Sequence, residues 1–545
     1  NDGEQRKIVF WVDKDQEFIE EIEQFVLDGV NVRTLLDDNQ FYMKYLLEEE
    51  DLTSSYLIYT NLELSSEDNW LMDTVLYSKT FYADRVSLLL NDLNMDPSLR
   101  ATLKRYERFF NNKERIRRFK ALGIESYTEE TIELAIMSVL CKLKTIDFES
   151  VLKTVLMDTL DDAANEYLSL MDSFFERDVF WSYVEIYYGY ERETQTLKTL
   201  FIHLTVTAFS HFVNEKHLTK VHDFIAERNK ANAYVFIDHW MHHKKDYEVF
   251  DEYTEMVEEE IQLSSILQPL PIDEFKQAEI FPYVDRAIII YIANGLMKKL
   301  EDYEEYQKLI KLRRAKHYYK KYAAVYEALY YTVKMYEFHK RYNRGIPQGQ
   351  AIDLYEAYRK EYHLMDTYYR KLYVAYDEES NHELLKKLKE LVEHLYTNWS
   401  IGELSSHWSQ AIKEEMTNEW SLPGVQNQKM FYSSTIAPHI QKDERVFIII
   451  SDAMRYEVGV ELAERLNSET IGVCDIQTML GVIPSVTKLG MASLLPYRSL
   501  DFDEKGRVLV DGKDSSGLEK RKKIIESYVD ESIAIHFQDV LAMNK

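Results

Sequence analysis

The chain has 545 residues, 46% of them hydrophobic, a formal net charge of -28 and two cysteines, Cys141 and Cys474. That length sustains about three or four domains with proper cores; the negative balance argues against broad binding to nucleic acid, itself a polyanion; and two cysteines without metal-ligand spacing exclude a disulfide framework and suit a reducing cytoplasm. No apolar run approaches the roughly 18 residues that span a bilayer and no signal peptide is visible, so a cytoplasmic protein without membrane contact is expected. Asn1 is not an initiator methionine, and the numbering is expected to begin inside the native chain.

Residues 1–95 read as a small α/β domain. Ile8 to Val12 is an apolar run ending at Asp13, Glu17 to Leu27 has helical spacing, and Val30 to Arg33 and Tyr56 to Tyr59 are further short strands. Such alternation implies a mostly parallel sheet covered by helices. Asp13 and Asp15 sit where acidic residues ordinarily initiate the following helix, and protein contact is the job expected of this domain.

Residues 96–425 are nearly all helical in pattern, with breaks at Gly123, Gly189, Pro269 and Pro271, Pro282, and around Pro347. Tyr322, Val325, Tyr326, Leu329, Tyr330, Val333 and Tyr336 fall at the helical period and predict one apolar stripe on a long helix. Two basic segments interrupt the acidic background, one from Lys104 to Lys120 and one from Lys311 to Lys321. They are the places for a local or indirect nucleic-acid contact, although solvated faces paired with Glu258 to Glu260 or with Glu301 to Glu305 are the expectation. His239, His242 and His243 have a spacing that chelates metals, but nothing nearby organises them, and a partly exposed helix face with Trp240 buried is expected instead.

Pro423-Gly424 and the polar run Gln426 to Gln428 read as a linker to residues 426–545. Val446 to Ile450 is an unbroken, largely β-branched apolar run, predicted to be a strand covered on both faces, with Asp452 just past its carboxyl end, where open α/β sheets place ligands. Pro484 to Pro496 predicts a loop that delivers Thr487 to the first turn of a short helix, where a hydroxyl meets unpaired backbone N–H groups. Taken singly, an Asp after a strand is often a loop cap and a Thr before a helix an N-cap. Ser485 is the alternative hydroxyl on that loop. Arg507 to Gly512 predicts a strand ending in an Asp-Gly turn, Gly517 to Val529 a helix, and Ile533 to Phe537 a strand that packs His536.

The segments Asp452-Ala-Met-Arg-Tyr-Glu457 and Pro484-Ser-Val-Thr-Lys-Leu-Gly-Met-Ala492 together resemble the PglZ family, a branch of the alkaline-phosphatase superfamily. Val510 to Lys513, Ser515 to Glu519 and Lys7 to Asp13 add to the resemblance. It implies that residues 426–545 are the first part of an alkaline-phosphatase-like α/β core, which with the patterns above makes a three-part fold: a small N-terminal βαβ domain, a long all-α middle region and this incomplete core. It also implies a site in which Asp452 is a metal ligand and Thr487 both a ligand to the same metal and the phosphoryl-accepting nucleophile, with a divalent metal, zinc by preference.

A two-metal centre of that type needs an Asp-His pair and a further His, yet only His536 follows Thr487. The expectation is therefore an N-terminal portion of a longer protein, whose metal site is incomplete here and which is inactive alone. PglZ proteins belong to BREX-type bacteriophage-defence systems. Other BREX proteins are the implied partners, such as the small accessory protein BrxB and the DNA methyltransferase PglX. The function expected is a metal-dependent phosphoesterase subunit of such a system; the alternative is a non-catalytic protein-interaction scaffold within the same complex.

Overall fold

β1 (Ile8–Val12) occupies an inner position of a four-stranded sheet ordered β2, β3, β1, β4, with β2 at Val30–Leu35, β3 at Ser55–Thr60 and β4 at Lys79–Tyr82. Every pairing is parallel, with Ile8 opposite Tyr56 and Val9 opposite Lys79. Phe10, Val12 and Ile58 are buried and form one core with Leu35, Met43, Leu46 and Leu71, which is what apolar strands covered by helices require. β4, which the sequence pattern does not reveal, completes the sheet. The helix expected from Glu17 to Leu27 is only Ile19–Ile22, because Ile22 alone reaches the core and a helix without a packed face does not propagate.

These are features of a computed structural model that describes residues 6–543 except 15, 63, 65–68, 83 and 380–382, so Asp15 lies outside the described residues. The chain divides into two compact units, residues 1–281 and 282–545. No described helix is long and apolar enough to cross a membrane.

The rest of the first unit is helical, from Pro97 onward. Its basic segment is engaged locally: Arg105 pairs with Glu129, Arg117 and Arg118 with Glu114, and Lys120 with Asp92. The acids are thus neighbours rather than the distant runs expected from sequence. His239 binds Glu149 at 2.8 Å and His243 lies 2.7 Å from Asp246, while Trp240 is fully buried as expected.

In the second unit, α1 (Tyr283–Met297), α2 (Tyr303–Arg313), α3 (Ala323–Arg341) and α4 (His363–Glu378) build the helical body. The stripe is borne out in part: Val325, Tyr326, Leu329 and Val333 are buried along α3, while Tyr330 and Tyr336 are half-buried and Tyr322 precedes the helix. Gly295 on α1 admits the Tyr306 ring of α2 so closely that a Cβ would collide with its hydroxyl. At the centre Arg313 grips Asp285 through Nε at 2.8 Å and Nη2 at 2.6 Å, and the Tyr326 hydroxyl donates to the same carboxylate at 2.6 Å. The second basic segment therefore spends Arg313 inside the core, and Arg314 pairs with Glu327.

The expected linker is ordered. β5 (Gln426–Asn427) pairs in parallel with β6 (Met479–Leu480), and Leu422 bridges Val425 around Pro423-Gly424. A second small sheet is antiparallel, β7 (Leu500–Phe502), β8 (Val508–Val510) and β9 (Lys513–Asp514). Asp511 and Gly512 both have positive φ, 49° and 75°, the signature of the two-residue hairpin turn that Asp-Gly predicts. Hydrogen bonds from Tyr528 and from the Ser499 and Arg498 backbone hold the Asp511 carboxyl below its usual range.

Two expected strands are absent. Residues 446–450 and 533–537 enter no β ladder, and Phe447 and Ile449 are 82% and 87% exposed. An apolar strand is held by neighbours on both edges and both faces, and no described segment supplies them here.

Candidate functional site

Thr487 follows the loop from Val482 to Val486, which contains a cis Ile483-Pro484 bond, and opens α6 (Thr487–Ser493). Leu489 and Ala492 of α6 bury against Val482, Leu495, Val508, Val510 and Ile524, so the helix is seated on the hairpin of β8 and β9 and on α7 (Leu518–Glu526). The N-cap residue is Val486, which has no side-chain cap. Thr487 is the first helical residue instead, exposed, and no hydrogen bond holds its hydroxyl among the described residues. A hydroxyl not used as a cap is free to act as a nucleophile. Ser485 is exposed on the same loop.

Sequence reasoning missed the residue that braces this loop. The Gln428 side chain accepts from Val482 N at 3.2 Å and donates to Gly490 O at 3.1 Å, closing both ends of the Thr487 loop like a staple. Trp420 adds a bond from Nε1 to Gly481 O at 2.7 Å, and Lys488 reaches Gly506 O at 2.6 Å. A polar run after Pro-Gly reads as linker; only the side-chain bonds to Val482 and Gly490 reveal that Gln428, just past β5, faces the loop.

Asp452 is exposed in a tight turn, and its Oδ1 accepts only from the backbone N–H of Ala453, at 3.0 Å. Ala453 has φ of +60°, in the left-handed region that costs a side-chain-bearing residue about 1 kcal/mol. Strain of this kind collects where a loop has a task. Ala453→Gly is expected to raise stability by about 0.5–1 kcal/mol in chemical denaturation, since glycine accepts that φ freely; a loss of stability would show that the turn is unstrained.

Past the turn, Arg455 precedes α5 (Tyr456–Glu469), whose first turn meets α4 of the helical body. Burial and then a hydrogen bond to Asp366 push the Tyr396 phenol up to about 12. The hydrogen bond from Arg455 to Tyr396, with the charges of Asp366 and Glu457, raises the Arg455 guanidinium above its ordinary value.

The structure therefore places Asp452 in a turn and Thr487 at the start of α6, in one compact unit, both exposed, with no hydrogen bond between them among the described residues. Two oxygen donors do not complete the four-coordinate shell of zinc. Among the described residues no group of three or more His, Cys, Asp or Glu could hold a metal ion. His536 is exposed at the start of a short helix, not packed in a sheet.

Residues 431–545 match the family described as the BREX system PglZ alkaline phosphatase-like domain. Along its whole length the chain is 36% identical to the alkaline phosphatase-like protein PglZ of Bacillus cereus (strain H3081.97), of which it covers 64%. It is 28% identical, over 99% of its residues, to the alkaline phosphatase-like protein BrxZ of Escherichia coli O9:H4 (strain HS), again covering 64% of that protein. No solved structure matches the chain. The chain thus spans less than two thirds of the length of these relatives.

Proposed function

We propose, proceeding from the match of residues 431–545 to the PglZ family and the likeness of the whole chain to PglZ and BrxZ, that it forms part of a metal-dependent phosphoesterase working inside a BREX-type phage-defence complex. The observations that carry this reading are an exposed Asp452, whose one hydrogen bond among the described residues reaches a single carboxylate oxygen, and an exposed Thr487 hydroxyl not used as a cap. Thr487 Oγ1 would give up its proton to water and bond to phosphorus as the ester's alkoxide leaves with the P–O electron pair and takes a proton from water; a second water would then add to phosphorus, returning the proton to Thr487 and releasing the phosphoryl group. A divalent cation, zinc by preference, would supply the charge neutralisation that phosphoryl transfer demands. Its remaining donors would come from outside these residues, since two oxygens do not suffice. The reading keeps three parts: an α/β domain at 1–95, a helical domain at 96–425, and the first part of the hydrolase domain at 426–545. It assigns the protein to the cytoplasm beside other BREX proteins, including BrxB and PglX. The substrate class is a phosphoprotein, a nucleotide or a nucleic-acid end.

The test is hydrolysis of a chromogenic phosphodiester with added zinc, by this chain and by a protein of its relatives' full length. Turnover by the longer protein that disappears in Asp452→Ala supports the enzyme. Inactivity of both under all divalent metals overturns it.

A second reading, a protein-interaction scaffold, is favoured by a ridge on the first unit. Phe41 and Trp70 are exposed with rings 5.7 Å apart, and Tyr45, four residues from Phe41 on the same short helix, is exposed as well. Exposed aromatics so grouped are the usual anchors of protein interfaces. Co-elution with BrxB, lost in Trp70→Ser, would support it.

A further inference from the structure

Residues 446–454 make no backbone-to-backbone hydrogen bond among the described residues, so no backbone ladder holds Asp452 from its N-terminal side. On its C-terminal side the chain is fixed tightly. Asp366 of α4 is buried and accepts from the Tyr396 hydroxyl at 2.5 Å and the Tyr358 hydroxyl at 2.6 Å. Arg455 Nη2 lies 3.2 Å from the same carboxylate and donates to the Tyr396 hydroxyl at 3.2 Å. The Tyr456 ring stands edge-on to His363 at 5.3 Å, and its hydroxyl donates to Arg359 O at 3.2 Å.

Glu457 is the more telling member. Its side chain is entirely buried, yet neither carboxylate oxygen has a hydrogen-bond partner. It is held by charge alone, with Arg455 Nε at 3.2 Å and Arg370 Nε at 3.8 Å. A carboxylate withdrawn from water is tolerated only beside cations, so Glu457 ties Arg455 to Arg370. One turn further, Glu461 pairs with both Arg370 and Lys371; burial pushes its carboxyl up, but these two bonds outweigh it and leave the group below the ordinary range. Glu457 and Glu461 on α5, and Asp366 and Arg370 on α4, each stand four residues apart, the spacing that puts two side chains on one helix face.

We infer that Arg455, Tyr456 and Glu457 are positioning residues that clamp the Asp452 turn to α4 of the helical body, with Asp366 and Arg370 as their anchors. The inference rests on the phosphoesterase reading for the turn's task, but the clamp itself is a property of these side chains. The helical body is then a template for the Asp452 turn as well as a spacer, and a partner that moved α4 would move Asp452 with it.

A nitroxide on Met454→Cys, in a Cys474→Ser background and with Cys141 buried, reports the turn directly. Arg455→Met, or Glu457→Gln if that variant does not fold, is expected to shorten the label's rotational correlation time severalfold. A control label on Val374→Cys, exposed on α4, should not change. In the protein of the relatives' full length, the same substitutions should lower phosphodiester turnover about 10- to 100-fold, as loss of a supporting contact does, with Arg455→Lys partly restoring it. Unchanged label mobility in both variants overturns the clamp. Increased mobility with undiminished turnover, where Asp452→Ala abolishes turnover, overturns the positioning role. If Asp452→Ala leaves turnover intact, the phosphoesterase reading fails, and the label alone then decides the clamp.

Discussion

Thr487→Ala in the protein of the relatives' full length is expected to lower kcat for phosphodiester hydrolysis on the order of 10⁴-fold, with folding unchanged. The size of the loss follows from the role: removing a nucleophile takes away the covalent route, and what survives is the contribution of binding and charge. Unchanged folding follows from the surroundings. Thr487 is exposed, its hydroxyl holds no partner among the described residues, and α6 is seated through Leu489 and Ala492. Ser485→Ala, two residues earlier, should leave hydrolysis within about twofold, because the attacking role is assigned to the hydroxyl at the first turn of α6. Steady-state assays of both variants beside matched circular dichroism spectra decide the point; a Ser485→Ala loss equal to that of Thr487→Ala would move the nucleophile two residues.

Arg313→Met should lower the stability of the 282–545 unit by about 3–5 kcal/mol, the largest structural effect expected anywhere in the helical body. Asp285 and Arg313 are both wholly inaccessible, bonded through two N–H···O contacts, and they join α1 to α2 while Tyr326 adds α3. Methionine fills the space but strands a buried carboxylate with one phenol as its partner. The paired change Asp285→Leu with Arg313→Met should be much milder, because no charge is then left in the core. Urea unfolding of the three variants measures this; a shift below about 1 kcal/mol for Arg313→Met alone would mean that water reaches Asp285.

How much of the fold is legible in the chain follows a physical division. β1, the central part of β3, the stripe on α3, the Asp-Gly hairpin and the Thr487 helix are legible because local pattern and local chemistry decide them. The strands expected at 446–450 and 533–537 do not form, since an apolar β-branched run specifies readiness to pair but not the presence of a neighbour. β4 escapes notice because Lys79 to Tyr82 is too short and too mixed to show a period. In the site, Asp452 and Thr487 stand out as residue types at loop ends. Gln428 and Arg455 instead act through partners that only the tertiary fold brings close, Val482 at a separation of 54 positions and Tyr396 at 59, and no spacing announces such contacts. The basic segments show the same limit: charge runs are visible, but that Arg313 turns inward to Asp285 is a tertiary fact.

The most direct measurement is mass spectrometry of a trapped intermediate, taken from the protein of the relatives' full length quenched in acid during turnover of a chromogenic phosphate ester. A phosphoryl group on the peptide containing Thr487, absent from Thr487→Ala, is the result predicted. Continued turnover by Thr487→Ala, or a phosphoryl group carried on any other residue, would contradict the assignment of Asp452 and Thr487 to one phosphoester-cleaving centre.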